Sequence, residues 1–109
     1  LRDYLGISTH FVVSSRVFID HNLKNEDKVI AFCKERGADT YINPSGGRHL
    51  YHKDRFEKMG LSLRFMVPCC VIYDQFDHDF VSSLSIIDVL MFNSIETVKE
   101  FLDEGAFVI

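Results

Sequence analysis

Tryptophan is absent from this 109-residue chain, and with it most of the short signatures that announce enzyme chemistry. No Walker loop or dinucleotide-binding glycine pattern occurs, so the familiar backbone cradles for nucleotide phosphates are excluded. No C-x-x-C or H-E-x-x-H occurs, which removes the common zinc patterns, and no G-x-S-x-G elbow is present to carry a hydrolase serine. No apolar run approaches the roughly 18 to 20 residues that span a bilayer, and no signal peptide is visible. Basic runs are also missing: 12 Lys and Arg against 16 Asp and Glu give a net charge of -4. Their scatter argues against a nucleic-acid polymer or an anionic membrane as partner. The three cysteines, Cys33, Cys69 and Cys70, are odd in number and two are neighbours. That is a poor disulfide framework and suits a reducing compartment. The expectation is a soluble, cytoplasmic protein.

Ten phenylalanines and an apolar fraction of 47% supply material for a real core and exclude general disorder. At this length one domain is expected over residues 1–109, with a modest fraction of its surface buried. The chain opens on Leu1-Arg2-Asp3-Tyr4-Leu5-Gly6 without a methionine. That hexamer reads as a last helical turn closed by glycine, so an upstream segment is expected.

Along the chain, Thr9–Ser14 is apolar and β-branched and reads as a buried strand, with the stretch to Lys24 looping. Asn25 is the expected N-cap of a helix over Glu26–Arg36, with Val29, Ile30 and Cys33 inward and Gly37 at the C′ position. Thr40-Tyr41-Ile42 is short enough only for a strand. A short helix over His52–Met59, with Phe56 and Met59 inward, ends at Gly60. Leu61–Phe65 alternates as a strand near an edge. These elements predict an α/β fold, a small parallel sheet with a β-α-β-α-β core flanked by helices and a helical C-terminal end. Beyond Pro68, Cys70–Tyr73 reads as a short strand or extended arm and Asp77-His78-Asp79 as an exposed turn. Ser82 or Ser83 is expected to cap a deeply buried helix over Leu84–Phe92. Ser94 is expected to cap another over Ile95–Glu104, stopped by Gly105.

Parallel strands gather their C-terminal ends on one rim, where open α/β sheets bind ligands. That rim is expected to collect Ser14, Ser15, Asn43, Ser45, Gly46, Gly47, Arg48 and the Val67-Pro68-Cys69 turn, with His49 as a polar neighbour of Arg48. Ser45, the glycine amides and Arg48 form a candidate grip for an anionic or polar group, with a plain tight turn as the alternative. Asp88, in an apolar helix, must find a partner, because an unpaired buried carboxylate is costly. Arg48 is the candidate cation. His49 and His52 with Cys69 and Cys70 form only a thin case for a metal. Ser45 and Cys69 are weak candidates for a nucleophile, and the cofactor is left open.

Three blocks, Gly37–Tyr51, Gly60–Phe65 and Leu84–Asn93, together resemble the C-terminal half of the WbqC-like family of bacterial proteins. The family's Ser/Gly-Gly-Arg loop and Ile-Asp-Leu-like helix correspond to Ser45-Gly46-Gly47-Arg48 and Ile87-Asp88-Val89. Many relatives carry Gly-Pro where this chain has Asn43-Pro44, and the family's distinctive N-terminal motif is absent. Members are about twice this length, in keeping with a missing start. The resemblance implies a role in cell-surface polysaccharide and O-antigen biosynthesis, as a transferase moving a small acyl or aminoacyl unit onto a nucleotide-linked sugar. It implies an anionic small molecule or nucleotide sugar as partner, with a homo-oligomer left open. The alternative is a non-catalytic binding or assembly module.

Overall fold

Helix after helix in this chain stops where a glycine allows it to stop. In the computed structural model, which describes residues 1–76 and 79–109, the first helix, α1 (Arg2–Leu5), closes at Gly6. The second, α2 (Asn25–Glu35), closes where Gly37 N–H donates to Lys34 O and Ala38 N–H to Cys33 O. The same paired bonds end α3 (Lys53–Lys58), from Gly60 to Glu57 O and from Leu61 to Phe56 O. Both glycines have φ above +60°, which an L side chain resists, so each stop is encoded by one residue.

Between these helices run β1 (Thr40–Pro44) and β2 (Ser62–Pro68), parallel and in register from Thr40↔Ser62 to Pro44↔Met66. With α3 as the crossover they form one β-α-β unit. The third strand, β3 (Ala106–Val108), completes a sheet of order β1-β2-β3. Phe65 and Ile109 exchange both backbone hydrogen bonds, at 2.8 and 3.0 Å, the mark of an antiparallel pair. The sheet is therefore mixed, and the chain closes on a strand.

The chain folds as two compact units, Thr9–Val67 with Val108–Ile109, and Leu1–Ser8 with Pro68–Phe107. The first holds a core of Ile30, Cys33, Phe56, Leu61, Leu63 and Phe65, with Val29, Tyr41 and Tyr51 packed against it. Leu63 and Phe65 alternate with exposed Arg64 and Met66 along β2, so the period of two aims one face at α2 and α3 residues. Tyr41 stacks on Phe56 at 5.8 Å while Tyr51 meets both rings edge-on, an arrangement aromatic quadrupoles favour. The second unit holds α1, α4 (Ile86–Phe92) and α5 (Ile95–Glu104). Val98 of α5 is fully buried, and Ser94 caps α5 by accepting from Thr97 N–H at 3.2 Å.

Several expectations need correction. Thr9–Ser14 forms no strand, and Phe11, Val12 and Val13 are exposed. The place beside β2 is taken by β3, and without a ladder a β-rich run does not become a strand. For the same reason β2 is the central strand rather than an edge. Asn25 does not cap α2 through its side chain; it has φ +49°, and Lys24 stands at the cap. Ser85, not Ser82 or Ser83, caps α4. Met59 is 45% exposed, while Phe56 alone carries the inward face of α3. The largest departure is α4, which has no buried residue, with Ile87 64% and Met91 78% exposed. A unit this small has too few elements to surround a helix that is apolar all round. Cys70–Tyr73 takes no regular structure, and the turn expected around Asp77 and His78 lies outside the described residues. Among the described residues no helix is long and apolar enough to cross a membrane.

Candidate functional site

The chain leaves β1 at Pro44 and turns at once into a 3-10 helix, Ser45–Leu50. Because Pro44 lies opposite Met66 in the parallel register, β1 and β2 run out at one edge, and the 3-10 segment begins there. Asn43 organises this start. Its Oδ1 accepts from the Tyr41 hydroxyl at 3.0 Å and its Nδ2 donates to Pro44 O at 3.1 Å. Burial, then the neighbouring Tyr51, push the Tyr41 phenol well above its ordinary range, so Tyr41 stays a donor and fixes the amide's orientation. A Cβ at position 47 would overlap the Asn43 amide nitrogen, whereas one at 46 meets nothing within 4 Å. Gly47 is thus required for close approach; Gly46 is not, and neither has a positive φ.

Arg48 lies with its guanidinium carbon 5.3 Å from the centroid of the Phe65 ring. The charged group itself lies over a core aromatic, and the residue as a whole is exposed. Within its own unit, among the described residues, no carboxylate pairs with it. Asn43, Ser45, Gly46, Gly47, Arg48 and His49 therefore form one continuous polar segment, open at Gly46, Arg48 and His49. Ser14 is not delivered by a strand; it opens a 3-10 turn, Ser14–Arg16, and is exposed.

Asp88 belongs to the other unit and is half-buried. There its Oδ2 accepts from Tyr73 Oη at 2.7 Å and from Gln75 Nε2 at 3.3 Å. The bond to Asp88 is the main reason the Tyr73 phenol is pushed up. Gln75 also clasps the chain at Val81, donating to its carbonyl and accepting from its N–H. Asp88 thus ties α4 to the segment before it. Beside this network Pro68, Cys69, Cys70, Val71 and Tyr73 help line a cavity of about 380 Å³. Cys69 is half-buried and Cys70 exposed, both as free thiols.

A charged cluster in the first unit was not legible in the sequence. Glu26, 6% exposed, accepts from the backbone N–H of His52 at 2.6 Å. It faces His52 Nδ1 at 3.2 Å and accepts from Arg55 Nη1 at 3.4 Å. Arg55 Nη2 also donates to Asp27 Oδ1. Burial pushes the Glu26 carboxyl up, but the His52 N–H, the His52 ring and the Arg55 guanidinium outweigh it and hold the group below its ordinary value. In sequence, Glu26 and Asp27 read as first-turn acids favoured by the helix dipole. Their partners lie 25 or more positions away, and no local spacing announces such a pairing. Among the described residues no group of three or more His, Cys, Asp or Glu is placed to hold a metal ion.

Compared with known proteins, the chain matches the family model of the WbqC-like protein family over residues 1–100. No curated protein and no solved structure matches it.

Proposed function

The chain belongs to the WbqC-like protein family, and from that premise we propose that it serves bacterial cell-surface polysaccharide biosynthesis, binding a nucleotide-linked sugar through Ser45, Gly46, Gly47 and Arg48. The reading makes it a cytoplasmic transferase component that places a small acyl or aminoacyl unit on the sugar. The observation that carries it is the exposed Arg48 guanidinium, unpaired within its unit and held over Phe65 at the end of a parallel strand pair. An arginine already ordered by an aromatic face loses little freedom when it grips a phosphate or carboxylate, and its fork suits both. His49, also exposed, extends the same polar segment.

The test is thermal stability in the presence of nucleoside diphosphate sugars and of simple anions. A ligand that prefers the native state stabilises by about 2.7 kcal/mol at a hundredfold excess over Kd. Arg48→Met keeps an apolar stem over Phe65 and removes the charge, so it should abolish the shift while leaving the unliganded melt near that of the parent. An unchanged shift in Arg48→Met refutes the assignment. A second reading, a non-catalytic assembly module, draws on the exposed Ile87 and Met91 of α4; silence across the whole ligand series would favour it.

A further inference from the structure

One arrangement in the first unit is not used by the anion-binding segment. His52 precedes α3 with its ring 76% exposed, yet its Nδ1 is anchored 3.2 and 3.3 Å from the two oxygens of Glu26, a carboxylate 7% exposed. The pairing is asymmetric. One ring nitrogen is tied to a buried acceptor, while the rest of the ring stands open.

A cavity of about 510 Å³ lies at this place, lined among others by His49, Leu50, Tyr51, His52 and Arg55. Its volume falls within the range of small-molecule sites. Glu26 is ionised at neutral pH, since its carboxyl is held below its ordinary value. An ionised carboxylate can only accept, so a neutral His52 must carry its proton on Nδ1. The lone pair is then left on Nε2. Glu26 cannot easily swing away, because it also accepts from the His52 backbone N–H and from Arg55. Arg55 is bound in turn to Asp27, which limits the charge it can offer a ligand.

The geometry points to His52 as a general base, with Glu26 as its positioning residue, acting on the hydroxyl group of a small polar molecule held in this cavity. The cations and carboxylates in the lining nearly balance, which favours an uncharged, hydroxyl-bearing group over an anion. Leu50 and Tyr51 supply an apolar wall against which a carbon face can lie. In the step, Nε2 takes the hydroxyl proton as the oxygen forms its bond to an electrophilic carbonyl carbon. The bond between that carbon and the leaving group of the acyl donor, an ester or other activated acyl compound, breaks; its electron pair leaves with the departing group, and the imidazolium returns its proton to that group or to solvent. A base oriented by a third group is the general form of such sites. The inference is independent of whether Ser45–Arg48 bind an anion.

The test uses p-nitrophenyl acetate as the electrophile, with water as the hydroxyl, alongside nitrogen-15 NMR of the imidazoles at neutral pH. The parent protein should show His52 as the Nδ1–H tautomer. Ester hydrolysis should fall on the order of a hundredfold in His52→Ala, the low side of what positioned proton transfer contributes, and persist when exposed His10, which does not line the cavity, is changed in His10→Ala. Glu26→Gln has nearly the same shape but an amide that can donate as well as accept. It should mix the tautomers and lower kcat with KM held, which a purely structural contact would not do. The Nε2–H tautomer in the parent protein would overturn the assignment without recourse to any variant. So would an unchanged rate in His52→Ala, an equal loss in His10→Ala, or a Glu26→Gln protein that keeps both tautomer and rate.

Discussion

Alanine at position 47 and alanine at position 46 are the same chemical change one residue apart, and the structure assigns them opposite signs. A methyl group at 47 would drive into the Asn43 amide nitrogen. To make room, Asn43 must turn, losing the bond from the Tyr41 hydroxyl and the bond to Pro44 O. Two such bonds are worth about 1–3 kcal/mol together. Against this stands the reduced freedom of the unfolded chain, worth about 0.4–1 kcal/mol. Gly47→Ala should therefore destabilise by about 0.5–2 kcal/mol. Gly46→Ala meets no atom within 4 Å and needs no positive φ, so only the favourable part remains, and it should stabilise by about 0.4–1 kcal/mol. Urea unfolding followed by tyrosine fluorescence suits the measurement, because Tyr41 and Tyr51 flank the segment and no tryptophan interferes. Equal effects at the two positions, or a neutral Gly47→Ala with the Tyr41–Asn43 bond intact by NMR, would refute the reasoning.

Phe56 is fully buried at the centre of the first unit's core, so Phe56→Ala should cost about 3–5 kcal/mol in the unfolding transition that its tyrosine neighbours report. Glu26 has its carboxyl lowered on folding from an ordinary value of 4.5. Its stabilising contribution is thus complete above that value and lost as pH falls through the folded pKa; Glu26→Gln should flatten acid unfolding below pH 4.5, and an identical acid limb would contradict the network. The Tyr73 phenol is raised chiefly by Asp88, so the bond's contribution holds below pH 10 and is lost as pH rises through the folded value; in Asp88→Asn the late phase of the ultraviolet phenolate titration should move earlier. Burial pushes the Cys33 thiol up, so a thiol reagent should label exposed Cys70 first and Cys33 last, only after unfolding.

The sequence carried the local stops and failed where the answer lay in partners. Gly6, Gly37 and Gly60 closed helices as expected, because the requirement for positive φ is met within a few residues. The alternation of Leu63 and Phe65 likewise marked β2 in advance. Thr9–Ser14 has the composition of a strand but takes no place in the sheet, and strand formation is decided by ladder pairing. The apolar helix around Asp88 promised a buried core, yet burial depends on how much chain surrounds it, and Ile87 and Met91 remain open. The Asn43–His49 segment was legible as a polar glycine loop at the end of a strand. Its dependence on Tyr41 and on the Asn43 amide was not, since it rests on side-chain directions at the end of β1. Glu26, His52 and Arg55 come together only through the packing of α2 against the start of α3, which no motif at short range encodes.

The claim on which the functional reading turns is that the segment after β1 holds an anionic group. Backbone amide NMR during titration with a nucleoside diphosphate sugar tests it most directly. The account predicts that the amides of Ser45, Gly46 and Gly47 and the Arg48 guanidinium shift together with one saturating curve, and that Arg48→Met abolishes it. Titration that leaves these signals in place while others move, or that moves nothing, would contradict it.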